Sequence, residues 1–597
     1  MKIQGRYILD DTGRTLMLKG VNLGGSSKIP FTEDASFTGR PFPPEEAAGH
    51  FERLSRRGLT FLRLVVTWEA IEGQGPGIYD ETYLEYLRKL LLEAEKWGIS
   101  VFIDPHQDVW SRWTGGDGAP LWTLEKLGMI PENFDAAGAA MSKPASMMWA
   151  ANYNRYAAAT LFTLFWGGKT FAPDTHIEDK NVQDWLQERY IAAFRHCFRR
   201  LKGCRAIAGW GIMNEPHYGF IGHGDLGAVE GPVIPLGVQP SPFQTMSAAS
   251  GFAVRVPVYG VGFPNYRITG HKVFNPEGLS IFTEGFSCPW KTAGVWTIEN
   301  DRPKLVQPGY FSRIHGKPAD FYEDFYKPFA RRFIERMREV NEASLFFIEG
   351  IPNGRHPSWG AGDPGNTVNA FHKYDGFTLF TKTFRSWFNV DAGRIRPIFG
   401  RKNIAAFYKN TLAEDLRWTR ENMGDMPCFL GEFGVPFDLN GRRSFKTGNY
   451  AAQEEALSMY YDAIDANLLH STLWNYTADN TNAEGDRWNA EDLSIFSQGK
   501  ERALAGWLRP YAPATAGTPL SLSWDRKRGC FRYRYRSDPK ITAPTEIFAP
   551  PELFGEDPEI ELEAGSPLRR EYRPAERRLF IWNEGYDGEL ELRVNKK

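Results

Sequence analysis

The chain reads as an α/β protein, a (β/α)8 barrel followed by a small C-terminal antiparallel β-sandwich. Three observations predict this. Up to about residue 510, short apolar runs alternate with stretches of helical spacing, the texture of repeated βα units. Eight such runs can be counted, and each ends in polar or aromatic residues, as barrels with a site at their strand C-termini require. Beyond residue 510 apolar and polar residues alternate with period two, the signature of half-buried strands.

The elements follow in order. Arg14–Leu23 reads as a strand running into a Gly-rich loop, with a helix at Pro44–Arg57. Thr60–Thr67 is a buried-type strand ending at Trp68-Glu69, and Tyr83–Trp97 has helical spacing. Ser100–Asp104 is the next strand, ending in Pro105-His-Gln-Asp108, and Trp185–Leu201 the next helix. Ile207–Met213 runs into Asn214-Glu215-Pro216. Ser344–Glu349, a strand ending in His372-Lys-Tyr374, Cys428–Gly431 and Ser471–Trp474 complete the eight. Two insertions, near 109–180 and 217–343, follow the third and fourth strands and exceed ordinary βα loops. The second holds Gly251–Phe263, a Gly-, Pro- and aromatic-rich run suited to a lid, an apolar wall or plain padding. The barrel is assigned to residues 1–510. The sandwich takes 511–597, joined through Pro510–Pro519 as a Pro/Ala/Thr linker and built from strands at Leu520–Trp524, Cys530–Tyr535, Glu559–Glu563, Arg578–Trp582 and Glu589–Arg593.

Composition narrows the function classes. A net charge of −2 provides no field for nucleic acid or anionic lipid. The five cysteines are odd in number, dispersed and without a CxxC pair, against a zinc site or a disulfide framework. No metal or other cofactor is expected. The start, MKIQGRYILDDTG, has no apolar signal region and no apolar run reaches 18 residues, so a cytoplasmic protein without a membrane span is the expectation. Aromatics at 14%, with 19 Trp, suit either a large core or stacking against sugar rings.

Two strand ends carry glutamates in a suggestive arrangement, Asn214-Glu215-Pro216 and Gly431-Glu432-Phe433-Gly434. A retaining glycosidase needs two carboxyl groups about 5–5.5 Å apart, one a proton donor and one a nucleophile. Their acidities must be pushed in opposite directions. An acidic residue at a strand end is more often a structural ion pair; the pairing of two is what points to catalysis.

With Gly20–Lys28, Gly39–Pro44, Leu62–Glu69 and Gly115–Pro120, these motifs resemble glycoside hydrolase family 5, over roughly residues 1–505. Within it the chain is similar to the glucosylceramide and steryl-glucoside β-glucosidases and their endoglycoceramidase relatives. The resemblance implies Glu215 as acid/base and Glu432 as nucleophile. It implies Arg63 beneath the nucleophile, where a guanidinium keeps a carboxylate ionised. It further implies His106 and Asn214 as contacts to the −1 sugar, Tyr374 as a hydrogen-bond donor to the nucleophile, and His372 in the same site. Trp474 becomes the platform under that sugar, where a bare Trp would more often be core. Lys28 and Asp104 match positions that hold the 3- and 4-hydroxyls of a terminal glucose, with Asp117 and Asp479 as weaker candidates. The implied substrate is a β-glucoside with an apolar aglycone. An endoglycoceramidase, an endo-β-glucanase and a non-catalytic sugar- or lipid-binding barrel are the alternatives.

Overall fold

The computed structural model describes residues 1–29, 39–145, 147–231, 236–260, 266–565 and 567–597. Eight parallel strands close into a barrel: β1 (Lys19–Leu23), β2 (Phe61–Thr67), β3 (Ser100–His106), β4 (Ile207–Gly211), β5 (Leu345–Ile348), β6 (Thr367–His372), β7 (Cys428–Glu432) and β8 (His470–Tyr476). β8 pairs back onto β1 through Ser471 and Lys19, so no edge is left open. Every counted run is thus a barrel strand.

The connecting helices are α1 (Ala47–Arg56), α2 (Glu81–Lys96), α3 (Tyr156–Phe171), α4 (Val182–Arg200), α5 (Lys327–Arg338), α6 (Arg401–Asn422) and α7 (Ala451–Ala466). Their sequences say why they form. In α2, Asp80 caps the Tyr83 N–H at 2.9 Å, and Tyr83, Leu84, Leu87, Leu90, Leu91 and Ala94 bury one stripe against the barrel. α3 lies in the first insertion and is buried nearly all round. It is clasped by the second insertion, whose Trp290 indole donates to Thr160 Oγ1 at 3.0 Å.

The lower barrel is plugged by Phe61, Phe102, Phe347 and Phe429, one each from β2, β3, β5 and β7. Phe102 and Phe347 stack at 4.1 Å. The layer above this apolar floor therefore holds its charges in a medium of low dielectric.

Three sequence expectations change. Pro510–Pro519 is not a free linker. Tyr511–Thr515 is a buried strand between Thr15–Leu16 and Thr545–Phe548 in a seven-stranded antiparallel sheet. Pro513 is tolerated because the register shifts between Tyr511 and Ala514. The barrel also does not start at residue 1: Lys2–Gln4, Tyr7–Leu9 and Thr15–Leu16 belong to that same sheet. A four-stranded sheet of Gly517–Asp525, Cys530–Ser537, Glu559–Glu563 and Glu589–Asn595 completes the C-terminal region. Finally, the Gly251–Phe263 run is no wall of the catalytic cavity among its described residues. Val254–Gly260 pairs with Arg267–Phe274 in a small separate sheet, and residues 261–263 lie outside the described residues. No helix among the described residues is long and apolar enough to cross a membrane.

Candidate active site

Glu215 follows β4 and Glu432 ends β7, so both reach the C-terminal mouth of the barrel. Glu215 adopts φ +41°, an unusual backbone for a glutamate. Gln107 holds it there, its amide donating to the carbonyls of Asn214 at 2.8 Å and Glu215 at 3.2 Å. Carboxylate oxygens of Glu215 and Glu432 lie within 4.8 Å of each other.

Arg63 on β2 is the hub below them. One nitrogen donates to Glu432 Oε1 at 2.6 Å and to Asn22 Oδ1 at 3.0 Å. The other reaches Asn214 Oδ1 at 2.6 Å, Asp104 Oδ2 at 2.9 Å and Glu349 Oε2 at 3.0 Å. Tyr374 Oη donates to Glu432 Oε2 at 2.8 Å, so both oxygens of Glu432 are held. His372 Nδ1 lies 2.8 Å from Glu215 Oε1 and 3.7 Å from Glu432 Oε2. Gly431 makes room for this ring: a Cβ there would stand 2.8 Å from His372 Nε2.

The surroundings push the two glutamates apart. Burial, and next the charge of Glu432, raise the Glu215 carboxyl well above the ordinary range and keep it protonated. Burial would also raise Glu432. The positive charges facing it, His372 when protonated and Arg63 always, outweigh that cost and hold it below the ordinary range. A proton donor and an anionic nucleophile side by side are the two halves of glycosidic bond cleavage.

A second group of charges lies beside the pair. His106 at the end of β3 has Nδ1 2.6 Å from Asp104 and Nε2 3.3 Å from Asp108. Burial and the neighbouring Lys28 oppose its protonation, but the two carboxylates prevail and carry it up to about 10. Lys28 donates to Asp108, lies 3.7 Å from Asp117, and stands over the Trp488 ring at 3.7 Å and Trp474 at 4.5 Å. Spacing alone would let His106, Asp108 and Asp117 hold an ion, but the Lys28 ammonium already supplies a cation there. The Trp474 indole lies parallel to His106 at 5.7 Å, a flat face at the cavity floor.

The cavity encloses about 1250 Å³, its open mouth included. Its polar lining is Lys28, His106, Asp108, Glu215, Glu432 and Glu491, and its apolar lining includes Met147, Leu379 and Trp474, which pack together, with Ile351, Pro352 and Phe380.

Of the residues expected from sequence, Lys28, His106, Glu215, Tyr374, Glu432 and Trp474 line this cavity. Arg63, Asn214 and His372 lie directly beneath or beside it. Asp104 is fully buried, bound to Arg63 and His106, and does not line the cavity. Residues 104 and 106 share a face of β3, but 104 lies two residues deeper along the strand, where it meets Arg63 at 2.9 Å. Asp117 is buried behind Lys28, and Asp479 is exposed near Arg487, 3.7 Å away; neither lines the cavity. Asp108, Gln107, Glu349, Trp149 and Glu491 were missed. Asp108 and Gln107 sat in the Pro105–Asp108 strand end and Glu349 ended a strand candidate, which was signal enough. Glu491 and Trp149 come from loops that only the fold brings together, where the Trp149 indole donates to Glu491 Oε1 at 2.8 Å.

A closed eight-stranded barrel bearing a protonated and an ionised glutamate on its fourth and seventh strands defines a glycoside hydrolase. Residues 10–163 match the model of Cellulase (glycosyl hydrolase family 5), and 509–594 that of the glycoside hydrolase family 5 C-terminal domain. The chain is 35% identical to a glucosylceramidase of Rhizopus delemar, over 92% of this chain and 89% of that protein. It is 32% identical to an ergosteryl-beta-glucosidase of Saccharomyces cerevisiae, over 82% and 74%. The solved sterylglucosidase 1 of Cryptococcus neoformans superposes with a TM-score of 0.90 at 29% identity, covering 100% of this chain and 98% of that one. Endo-glycoceramidase II from Rhodococcus sp., at 18% identity and a TM-score of 0.59, shares the fold. The chain belongs to glycoside hydrolase family 5.

Proposed function

We propose that this enzyme is a retaining β-glucosidase that removes a single terminal glucose from an apolar aglycone such as a ceramide or a sterol. The observation that carries the reaction is the short span between Glu215 and Glu432, within 4.8 Å between carboxylate oxygens. Retention goes with a separation of about 5–5.5 Å, whereas inversion needs about 6.5–9.5 Å to admit a water.

Glu432 attacks the anomeric carbon as Glu215 gives its proton to the departing aglycone oxygen, forming a glucosyl ester on Glu432. Glu215, now ionised, takes a proton from the incoming water. That water's oxygen bonds to the anomeric carbon, frees Glu432 and releases glucose. Arg63 and Tyr374 hold Glu432 in line, and Asn214 and His106 face the sugar.

Removal of one sugar is supported by the polar lining of the cavity. There Glu491, Trp149 and Trp488 close around Lys28: the indoles meet edge to face at 5.0 Å and the ammonium lies over one of them. Such a wall leaves Lys28, Asp108 and Glu491 to receive the far hydroxyls of one glucose. The names of the Rhizopus and Saccharomyces relatives point to the same kind of aglycone. Purified enzyme should release glucose from an aryl β-glucoside and from detergent-dispersed glucosylceramide or steryl glucoside. No glucose from any of them would sink the reading, and intact lactose from lactosylceramide would replace it with an endoglycoceramidase.

A further inference from the structure

The connection after β6 carries a surface that the reaction does not use. Asp375 caps the short helix Gly376–Thr381, and a ribbon of Phe388–Asp391 and Arg396–Phe399 follows. In its register Phe388 lies opposite Phe399 and Val390 opposite Pro397, so these four share one face. Asn389, on the other face, is buried and donates to Asp375 Oδ2 at 2.8 Å. The ribbon's inner face thus carries Asn389 and Ile398, which packs on the core, while its outer face is apolar too and leaves Pro397 and Phe399 exposed, where a sheet facing water would carry polar residues.

The exposure is substantial. Phe399 is 59% exposed, Trp387 55%, Ile395 53% and Phe380 43%. Single exposed apolar residues are ordinary, but a contiguous group marks an interaction site. Charge surrounds it. Residues 382–402 contain Lys382, Arg385, Arg394, Arg396, Arg401 and Lys402 against Asp391 alone, a balance of +5 in a chain of −2. Lys382, Arg394 and Arg401 are engaged with acidic neighbours. The Arg385 guanidinium stands over the Trp387 ring at 5.8 Å, and Arg396, paired with Asp391 beside the turn, is exposed next to the ribbon's tip. The ribbon's tip, Ala392-Gly393, and Phe380 line the mouth of the catalytic cavity.

We propose that this ribbon docks the enzyme on an anionic lipid bilayer, with Trp387, Ile395 and Phe399 in the interface and the arginines on the headgroups. Tryptophan and arginine are suited to that boundary, and basic residues beside apolar ones bind acidic lipid. A second copy of the chain is disfavoured as the occupant, since a self-complementary contact would bring the exposed Arg385 and Arg396 of two copies together. The proposal rests on the reading that the aglycone is a lipid. With the cavity mouth at the bilayer, a glycolipid enters without crossing bulk water.

The test is co-sedimentation with phosphatidylcholine vesicles, with and without phosphatidylserine, alongside turnover of glucosylceramide in vesicles, glucosylceramide in detergent, and a soluble aryl β-glucoside. Wild type should bind phosphatidylserine vesicles and release from them as salt rises. Trp387→Ser/Phe399→Ser should weaken binding and vesicle turnover by at least about tenfold. Arg385→Glu/Arg396→Glu should weaken binding only where phosphatidylserine is present. Neither should alter turnover in detergent or of the aryl glucoside. Wild-type failure to bind, unaltered binding by the Trp/Phe variant, or equal losses on the soluble substrate would each overturn docking. So would a wild-type dimer that this variant dissociates in light scattering. A wild type that binds vesicles yet releases no glucose even in detergent would instead refute the β-glucosidase reading.

Discussion

Replacing Arg63 alters the electrostatics of Glu432 before it alters anything else, because the guanidinium is permanently charged and 2.6 Å from the carboxylate. Turnover needs Glu432 ionised and Glu215 protonated, so it should fall at low pH through the Glu432 limb and at high pH through the Glu215 limb. Since Glu432 is held below the ordinary range and Glu215 well above it, the plateau between them should be broad. Arg63→Met removes one of the charges that depress Glu432, the permanent one beside it, so the acid limb should move to higher pH, with kcat lower throughout; an unmoved limb in a pH–rate profile would count against the pairing. Glu432→Gln removes the second-largest influence raising Glu215, so the Glu215 carboxyl should titrate at lower pH in that inactive variant, as infrared spectroscopy of the carboxyl band can show. Glu215→Gln should cost about 10²–10⁴ in kcat on poor leaving groups and much less on activated aryl glucosides, which need no proton.

Among the elements, the segment after β6 depends on one side chain. Asp375 accepts from Thr378 N at 3.2 Å, from Tyr408 Oη on α6 at 2.6 Å and from Asn389 in the ribbon, so it ties helix, ribbon and barrel wall together. Asp375→Ala leaves those donors unpaired and should cost about 2 kcal/mol or more, with faster amide exchange confined to residues 376–399. Uniform exchange along the chain would contradict such a local role. What was readable in advance follows the same physics. Apolar runs and the strand-end glutamates declare themselves locally, so the eight strands and the Glu215/Glu432 placement could be read. Tyr511–Thr515 could not, because Ala, Thr and Pro are the composition of a linker, and its strand character comes from distant partners. The depth of Asp104, off the cavity lining, was not legible either, since periodicity reports which face a residue takes and not how far along the barrel it lies. Glu491 lies after β8 and meets Lys28 only once the barrel closes.

At the scale of the molecule, barrel and sandwich are fastened by buried charge as well as by the shared sheet. Asp465 on α7 bonds Lys19 of β1 and lies 2.6 Å from Arg509, which leads into the sandwich and also reaches Asp462 at 2.8 Å. Asp465→Ala strands the buried Lys19 and leaves Arg509 with Asp462 alone, and should cost about 3–5 kcal/mol in denaturant unfolding. A loss of under about 1 kcal/mol would show that the cations find other partners. Ending the chain at residue 508 should be worse, because Thr15–Leu16 would lose Ala514 and Thr515 and leave a sheet edge open to aggregation.

That shared sheet also sets a timetable for synthesis. The early segment Lys2–Leu16 finds its neighbour only when Tyr511–Thr515 has been made. At about 5–20 residues per second, the nascent amino-terminal segment waits on the order of 25–100 s for its partner. β1 follows directly and must pair with β8, so closure of the barrel also waits until residues 470–476 have been made. Through that interval the growing polypeptide exposes an unmatched strand edge, and heterologous expression should respond strongly to chaperone supply and to lowered temperature.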